Sequence, residues 1–317
     1  MLITIGLLIL GLLLLVKGAD WLVSGASAIA KYFRVSDLAI GLTIVAFGTS
    51  APELVVNGFA AFEQSFDLVF GNVIGSNNFN LFIILGITGL VSPIKVQSST
   101  VWKEIPLSLF AAVFILLIAN SWLPFISSGV SRLEAIILLI IFAGFLYYVF
   151  SQLKRNSDIQ ATDQQPLKLN KSLLLVVVGL AGLIGGGRLV VQSAVELAQQ
   201  IGISEKVIGL TIVSAGTSLP ELVTSVVAAV RKNNDIAVGN IIGSNIFNLL
   251  FILPISALIH PLTYNTAFNT DILILIGGTI FLFVAMFTGI RKKLDRWEAG
   301  LLFAIYIAYT IIVITNG

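Results

Sequence analysis

The chain carries GLTIVAFGTSAPEL at residues 41–54 and a close copy, GLTIVSAGTSLPEL, at residues 209–222, with eleven of fourteen positions identical. A second motif, GNVIGSNNFNL at residues 71–81, recurs at the same offset as GNIIGSNIFNL at residues 239–249, with nine of eleven identical. Because the shared offset leaves no gap between the motifs in either copy, the chain is predicted to repeat one long structural unit.

Apolar sequence surrounds these motifs throughout the chain. Of the 317 residues, 57% are hydrophobic and 11% are charged, whereas a soluble domain has about 25% charged residues. This composition excludes a soluble enzyme, a disordered protein and a nucleic-acid-binding protein. The absence of cysteine excludes disulfides and thiolate metal sites, and a single histidine excludes a two-histidine zinc motif.

Ten apolar segments reach the length of about 20 residues that a membrane-spanning helix needs. They lie at residues 2–30, 36–61, 67–91, 103–121, 131–151, 172–198, 204–230, 236–259, 270–289 and 296–315. Their runs are continuously apolar, which excludes the alternating pattern of a membrane β-barrel. The expected fold class is therefore an all-α polytopic membrane protein with ten transmembrane helices.

Lysine and arginine divide unequally between alternate loops, with fourteen in one set and three in the other. The positive-inside rule makes the richer loops cytoplasmic and both termini external, as in a multi-pass protein of the cell membrane. A polar cytoplasmic linker at residues 152–171 is expected to join a five-helix repeat at residues 1–151 to a second at residues 172–317. Since five spans separate each motif from its copy, the two repeats have inverted topology, as in many secondary transporters.

Glu53 and Glu221 lie near the middle of the second and seventh segments. An acid at the bilayer centre costs about 2.5–3.5 kcal/mol on insertion scales, and no lysine or arginine lies at a similar depth, so a bound cation or a proton is expected to compensate it. Hydroxyl and amide side chains accompany the two acids at helical spacing: Thr49, Ser50, Thr217, Ser218, Ser76, Ser244, Asn80 and Asn248. Such oxygen donors suit Ca²⁺ or Na⁺ and, less readily, Mg²⁺.

Proline precedes both acids directly, at Pro52 and Pro220. Each proline lacks an N–H, so it is predicted to bend its helix and to free a backbone carbonyl one turn earlier. Broken helices near the middle of the membrane indicate an ion site in secondary transporters. Outside these motifs, the spacing of Lys17 and Asp20 predicts a local ion pair on the first helix.

These motifs resemble the signature repeats of the sodium/calcium exchanger family, within the cation/Ca²⁺ antiporter superfamily. The resemblance covers essentially the whole chain, and the short linker is similar to that of prokaryotic members, which lack a large regulatory domain. It implies a cluster of cation sites with Glu53 and Glu221 as central ligands, together with the carbonyls of Ala46 and Ser214. The chain departs from many members at Asn248, where they carry Asp, and this departure argues against potassium co-transport.

The expected function is Ca²⁺ export against Na⁺ entry by alternating access, without enzymatic activity and without a cofactor. The expected partners are the two transported ions and the lipid bilayer, and the expected assembly is a monomer. Ca²⁺/H⁺ exchange through the same two acids stays open, because both reactions use the same carboxylates. A passive cation channel is less favoured, since channels usually gather their ligands by oligomeric symmetry.

Overall fold

The computed structural model describes residues 2–122, 129–155, 168–200, 214–289 and 291–316. Within these ranges the chain is almost entirely helical. The helices are α1 (Leu2–Phe33), α2 (Asp37–Thr49), α3 (Ala51–Phe62), α4 (Phe66–Val91), α5 (Thr100–Ala119), α6 (Arg132–Arg155), α7 (Leu169–Gln200), α8 (Ser214–Gly216), α9 (Leu219–Val230), α10 (Asn234–Ile259), α11 (Asn269–Ala285) and α12 (Arg296–Asn316). Two short strands, β1 (Ile94–Lys95) and β2 (Lys293–Leu294), and a 3₁₀ turn (Thr266–Phe268) before α11 complete the regular structure of these ranges.

Seven of the described helices are long and apolar enough to cross a membrane, or eight if the bent pair of α2 and α3 counts as one span. The all-helical membrane class is therefore confirmed. Residues 201–213, which belong to the seventh expected span, lie outside the described ranges, and α9 is a shorter apolar helix. The count of ten stays a prediction.

The bend between α2 and α3 measures 48° and falls at Ser50, as Pro52 predicts. Proline cannot donate the backbone hydrogen bond that would continue the helix, so the axis turns there. The matched residue before α9, Ser218, has nearly the same backbone angles, with φ −89° and ψ 6° against φ −85° and ψ 8° for Ser50. The same local sequence thus begins a new helix at the same point of each motif.

Matched segments of the two motifs also share a wide helical turn. Phe79–Ile84 in α4 and Asn248–Ile252 in α10 are π-helical, at corresponding places in the sequence. π-helical turns are rare and occur often at functional sites. In both helices the wide turn includes the asparagine that the sequence places near the ion site, Asn80 or Asn248.

Helices α1 and α7 pack against each other in antiparallel order through glycine. A Cβ atom added to Gly11 would lie 2.9 Å from the carbonyl oxygen of Gly186, and one added to Gly18 would lie 2.8 Å from that of Gly179. Small residues of this kind let membrane helices approach to backbone contact. Any larger residue at these positions would push α1 and α7 apart.

Backbone bridges also tie the two halves of the chain together. Ile94 pairs with Leu294 between β1 and β2, and Val130 pairs with Leu262 as an isolated antiparallel bridge. Each bridge joins one residue from each half. Of the most apolar 18 residues of each helix, 72% are buried in α4 and 83% in α10, against 28% in both α1 and α7.

Candidate ion-binding site

The two copies of the proline–glutamate motif meet in the core, and each brings a buried acid to the meeting point. Glu53 lies in the first turn of α3 and Glu221 in the first turn of α9, and each is 1% exposed. Proline sets both positions, because it begins the helix immediately before the acid. The site therefore contains two carboxyl groups from opposite halves of the chain.

Each acid is hydrogen-bonded by a serine of the other half. Ser50 donates to Glu221 Oε1 at 2.8 Å, and its oxygen lies 3.0 Å from Ser244 Oγ. Ser218 donates to Glu53 Oε1 at 3.3 Å, and its oxygen lies 3.3 Å from that of Ser76. These crossed contacts place six of the predicted site residues in one buried cluster.

Asparagine side chains connect α4 with α10. Asn80 Nδ2 donates to Asn245 Oδ1 at 3.0 Å, and Asn248 Nδ2 donates to Asn77 Oδ1 at 3.2 Å. Asn245 also donates to the backbone carbonyl of Asn77 at 3.4 Å. Because their amide nitrogens are engaged in this way, Asn80 and Asn248 keep their side-chain oxygens for another partner.

Four buried oxygens of the cluster have no hydrogen-bond partner within the described ranges. They are Glu53 Oε2, Glu221 Oε2, Asn80 Oδ1 and Asn248 Oδ1. A buried acceptor left without a donor costs about 1–3 kcal/mol, and a charged one costs more. Two carboxylate and two amide oxygens are a hard ligand set that can bind Ca²⁺ or Na⁺.

The remaining predicted residues lie around this cluster. Thr49 donates to Asn240 Oδ1 at 2.9 Å and lies 3.3 Å from the carbonyl of Ala46, which also accepts the N–H of Ser50 at 3.0 Å. Thr217 is matched to Thr49, but its buried hydroxyl makes no hydrogen bond to any described residue. The first residue of α8 is Ser214, whose side chain lies outside the described residues.

Two further asparagines, which are not among the predicted ligands, support the site. Asn240 donates to the carbonyl of Glu221 at 3.2 Å and to Ser225 Oγ at 3.0 Å, so it links α9, α10 and Thr49. Asn57 donates to the carbonyl of Glu53 at 2.8 Å. A polar amide one turn after a membrane-buried acid was the sequence signal for Asn57.

One electrostatic prediction is wrong. Asp20 forms its ion pair with Arg231 at the end of α9 and not with Lys17 on its own helix. The close packing of α1 against α9 brings the longer arginine side chain within reach, and sequence spacing within one helix cannot reveal such a contact. Arg231 also donates to Ser24 on α1.

The cluster contains neutral oxygens as well as the two acids. Within the described ranges, no cluster of three or more His, Cys, Asp or Glu residues could hold a metal ion. Two carboxylates balance the charge of one Ca²⁺ or of two Na⁺. The arrangement therefore suits ions that accept hydroxyl, amide and carbonyl oxygens as further ligands.

A family model described as sodium/calcium exchanger protein matches residues 3–151 and 171–315. The sodium/calcium exchanger MaX1 of Methanosarcina acetivorans is 33% identical to the chain, and the alignment covers 97% of each protein. The inner membrane protein YrbG of Escherichia coli is 39% identical, with 86% of the chain and 87% of that protein covered.

A solved structure of the sodium-calcium exchanger NCX_Mj has the same fold. It superimposes with a TM-score of 0.84 at 33% sequence identity, and the superposition covers 98% of this chain and 99% of the other. The matched residues include both motifs and every described helix of the site, because the family model and the solved structure each span nearly the whole chain.

Proposed function

The chain belongs to the sodium/calcium exchanger family, and from this premise we propose that it is a secondary active antiporter that exports Ca²⁺ in exchange for Na⁺ entry. The observation that carries this proposal is the pair of buried acids, Glu53 and Glu221, each with an unpartnered carboxylate oxygen, together with the unpartnered side-chain oxygens of Asn80 and Asn248. A single Ca²⁺ or more than one Na⁺ binds there, and the two ions compete for the same ligands.

Competition at one site is what exchange requires. If both ions bound fully at the same time, neither gradient could drive the other ion, whereas a shared pair of carboxylates forces one ion to leave before the other binds. Thr49, Ser50, Thr217, Ser218, Ser76 and Ser244 supply hydroxyl oxygens to whichever ion is bound. Ala46 and Ser214 supply backbone carbonyls next to the breaks before α3 and α9.

We assign ten spans, arranged as two inverted repeats at residues 1–151 and 172–317, with a cytoplasmic linker at residues 152–171 and both termini outside the cell. Helices α3 and α9 support this assignment, because they begin and end at matched positions of the repeated sequence. Inverted repeats allow alternating access, because exchanging the conformations of the two halves moves the opening from one membrane face to the other. The monomer contains the complete site.

The ion gradient that drives Ca²⁺ transport is tested with purified protein in proteoliposomes. An imposed Na⁺ gradient at clamped voltage should drive ⁴⁵Ca²⁺ accumulation, and an imposed pH gradient should not. Accumulation driven by the pH gradient alone would replace Na⁺ with H⁺ as the counter-ion. Equilibration without accumulation under both gradients would indicate a passive channel instead.

The site itself is tested by Glu53→Gln and Glu221→Gln, which remove one negative charge each with little change of shape. Both variants should lose Na⁺-driven Ca²⁺ flux by at least about a hundredfold, since a buried charged ligand is worth several kcal/mol. The matched control is Glu104→Gln, because Glu104 is also 1% exposed on a spanning helix but is bound by Tyr148 at 2.6 Å, away from the cluster. Flux that survives in either site variant would contradict the assignment.

A further inference from the structure

Four charged residues outside the ion site occupy matched positions in the two halves, with their signs exchanged. Asp20 on α1 corresponds to Arg188 on α7 at the offset that the two repeated motifs share. Glu63 at the end of α3 corresponds in the same way to Arg231 at the end of α9. The first half therefore supplies both acids and the second half both bases, so each acid has a complementary base across the halves.

The structure forms one of the two possible cross-half pairs. The guanidinium of Arg231 binds the carboxylate of Asp20 and the hydroxyl of Ser24, which closes α9 onto α1. Glu63 and Arg188 are both described and both exposed, and neither forms an ion pair with any described residue. Among the described residues, the ion pair between Asp20 and Arg231 is thus formed, and the corresponding pair between Glu63 and Arg188 is not.

The apolar contacts of α9 and α3 differ in the same way as the two ion pairs. Val223 and Val227 of α9 pack against the buried cluster that includes Leu22 of α1. Their counterparts on α3, Val55 and Phe59, are 56% and 67% exposed. Helix α1 thus covers α9, whereas α7 leaves the corresponding face of α3 uncovered.

The two charged positions lie at different heights along the α1–α7 pair. Gly11 meets Gly186 and Gly18 meets Gly179, so Arg188 is level with the early part of α1. With a rise of about 1.5 Å per residue, Arg188 lies about 16 Å from Asp20 along the pair. Contacts at these two heights can therefore act on opposite sides of the ion site.

We infer that Asp20–Arg231 and Glu63–Arg188 are alternate latches, each holding one side of the transporter closed in one of its two access states. This inference rests on the alternating access proposed above. The four residues are positioning residues, since none touches the acids or the asparagines of the site. Because α1 and α7 are held together by glycine contacts, a shift of the pair that brings Arg188 to Glu63 moves Asp20 away from Arg231.

The first test compares neutral variants of the two latches. Asp20→Asn should shift the protein toward the state closed by Glu63–Arg188, and Glu63→Gln should shift it toward the state seen here. The ratio of apparent Ca²⁺ affinities on the two membrane faces should change in opposite directions, by about two- to fivefold each, as expected for an exposed ion pair.

Rescue separates a latch from a general structural role. The exchange of charges in Asp20→Arg with Arg231→Asp should restore the wild-type ratio, which neither single variant has. Shifts in the same direction in both neutral variants, or no shift in either, would overturn the inference. Failure of the wild type to exchange Ca²⁺ for Na⁺ would instead overturn the proposed function.

The second test detects the unformed latch directly, and it uses the absence of native cysteine. Glu63→Cys with Arg188→Cys should be crosslinked by a bifunctional thiol reagent that spans the length of an ion pair, faster when Asp20→Asn is added, and the crosslink should slow Ca²⁺ flux. The control pairs Glu63→Cys with Leu174→Cys, at an exposed site about 21 Å further along α7. No crosslink in an actively exchanging protein, or equal rates for both pairs, would overturn the inference.

Discussion

The two halves of the proposed ion site share their motif but not their hydrogen bonds. Glu221 accepts a short bond from Ser50 at 2.8 Å, and its backbone carbonyl is held by Asn240, which also binds Ser225 and Thr49. Glu53 accepts a longer bond from Ser218, at 3.3 Å. Glu221 is therefore held in a connected network to which both halves contribute, whereas Glu53 accepts a longer side-chain bond outside that network.

A single difference in sequence accounts for much of this contrast. Asn57 in α3 has Ser225 as its counterpart in α9. The long amide of Asn57 reaches the carbonyl of Glu53 itself, at 2.8 Å, and Asn72 Nδ2 is left without a partner among the described residues. In the second half, the side chain of Ser225 is shorter than that of Asn57, and the carbonyl of Glu221 is bound by Asn240 instead. A duplicated motif thus gives two different environments for the same acid.

Asn240→Ala and Asn72→Ala should show the largest difference between the halves. Removal of Asn240 breaks three buried hydrogen bonds of about 1 kcal/mol each, so we expect a loss of about 3 kcal/mol of stability. Removal of Asn72 should change stability by less than about 0.5 kcal/mol, because its amide nitrogen makes no bond. Unfolding in mixed detergent micelles measures both. Equal losses would mean that the halves are held alike.

Ser50→Ala and Ser218→Ala should show a smaller difference between the halves than the asparagine variants, and this difference should lie in the affinity for Ca²⁺. Ser50 donates the shorter bond, and a hydrogen bond to a charged group contributes about 1.5–3 kcal/mol, so its loss should weaken Ca²⁺ binding at least about tenfold. Ser218→Ala should weaken binding about threefold or less. Calorimetric titration with Ca²⁺ compares the two. A larger effect at Ser218 would reverse the proposed contrast between the acids.

Asn57→Ser should have the smallest effect, since it makes α3 resemble α9 at the position that differs. The carbonyl of Glu53 becomes free, and Asn72 can bind it as Asn240 binds Glu221. In this background, Asn72→Ala should become destabilising by about 0.5–1 kcal/mol, which a double-mutant cycle measures. Additive effects of the two substitutions would show that position 57 does not control the network.

The sequence predicts the parts of the site that depend on local geometry and on the repeat. The bend before α3 follows from Pro52, and the buried position of Glu53 beside Ser50 and Thr49 follows from the motif. The constant offset between the copies also predicts that each half contributes the same residue types. The family and the helical membrane class follow from the same features.

Contacts between helices that are far apart in the sequence could not be predicted from local spacing. The crossed bonds from Ser50 to Glu221 and from Ser218 to Glu53 depend on how α3 and α9 pass each other, which no spacing within one helix encodes. The sequence predicts the wrong partner for Asp20 for the same reason. The π-helical turns of α4 and α10 were likewise not apparent, because one extra residue per turn leaves the apolar pattern of a buried helix unchanged.

The crossed hydrogen bonds also have a consequence for biogenesis. The ribosome makes residue 53 long before residue 218, so Glu53 enters the membrane before its serine partner exists. During that interval its carboxyl group has neither the hydroxyl of Ser218 nor the asparagines of α10, and an unpaired acid within lipid is costly. The first half is thus a poor candidate for independent insertion, and maturation of the site must wait until translation has delivered the second.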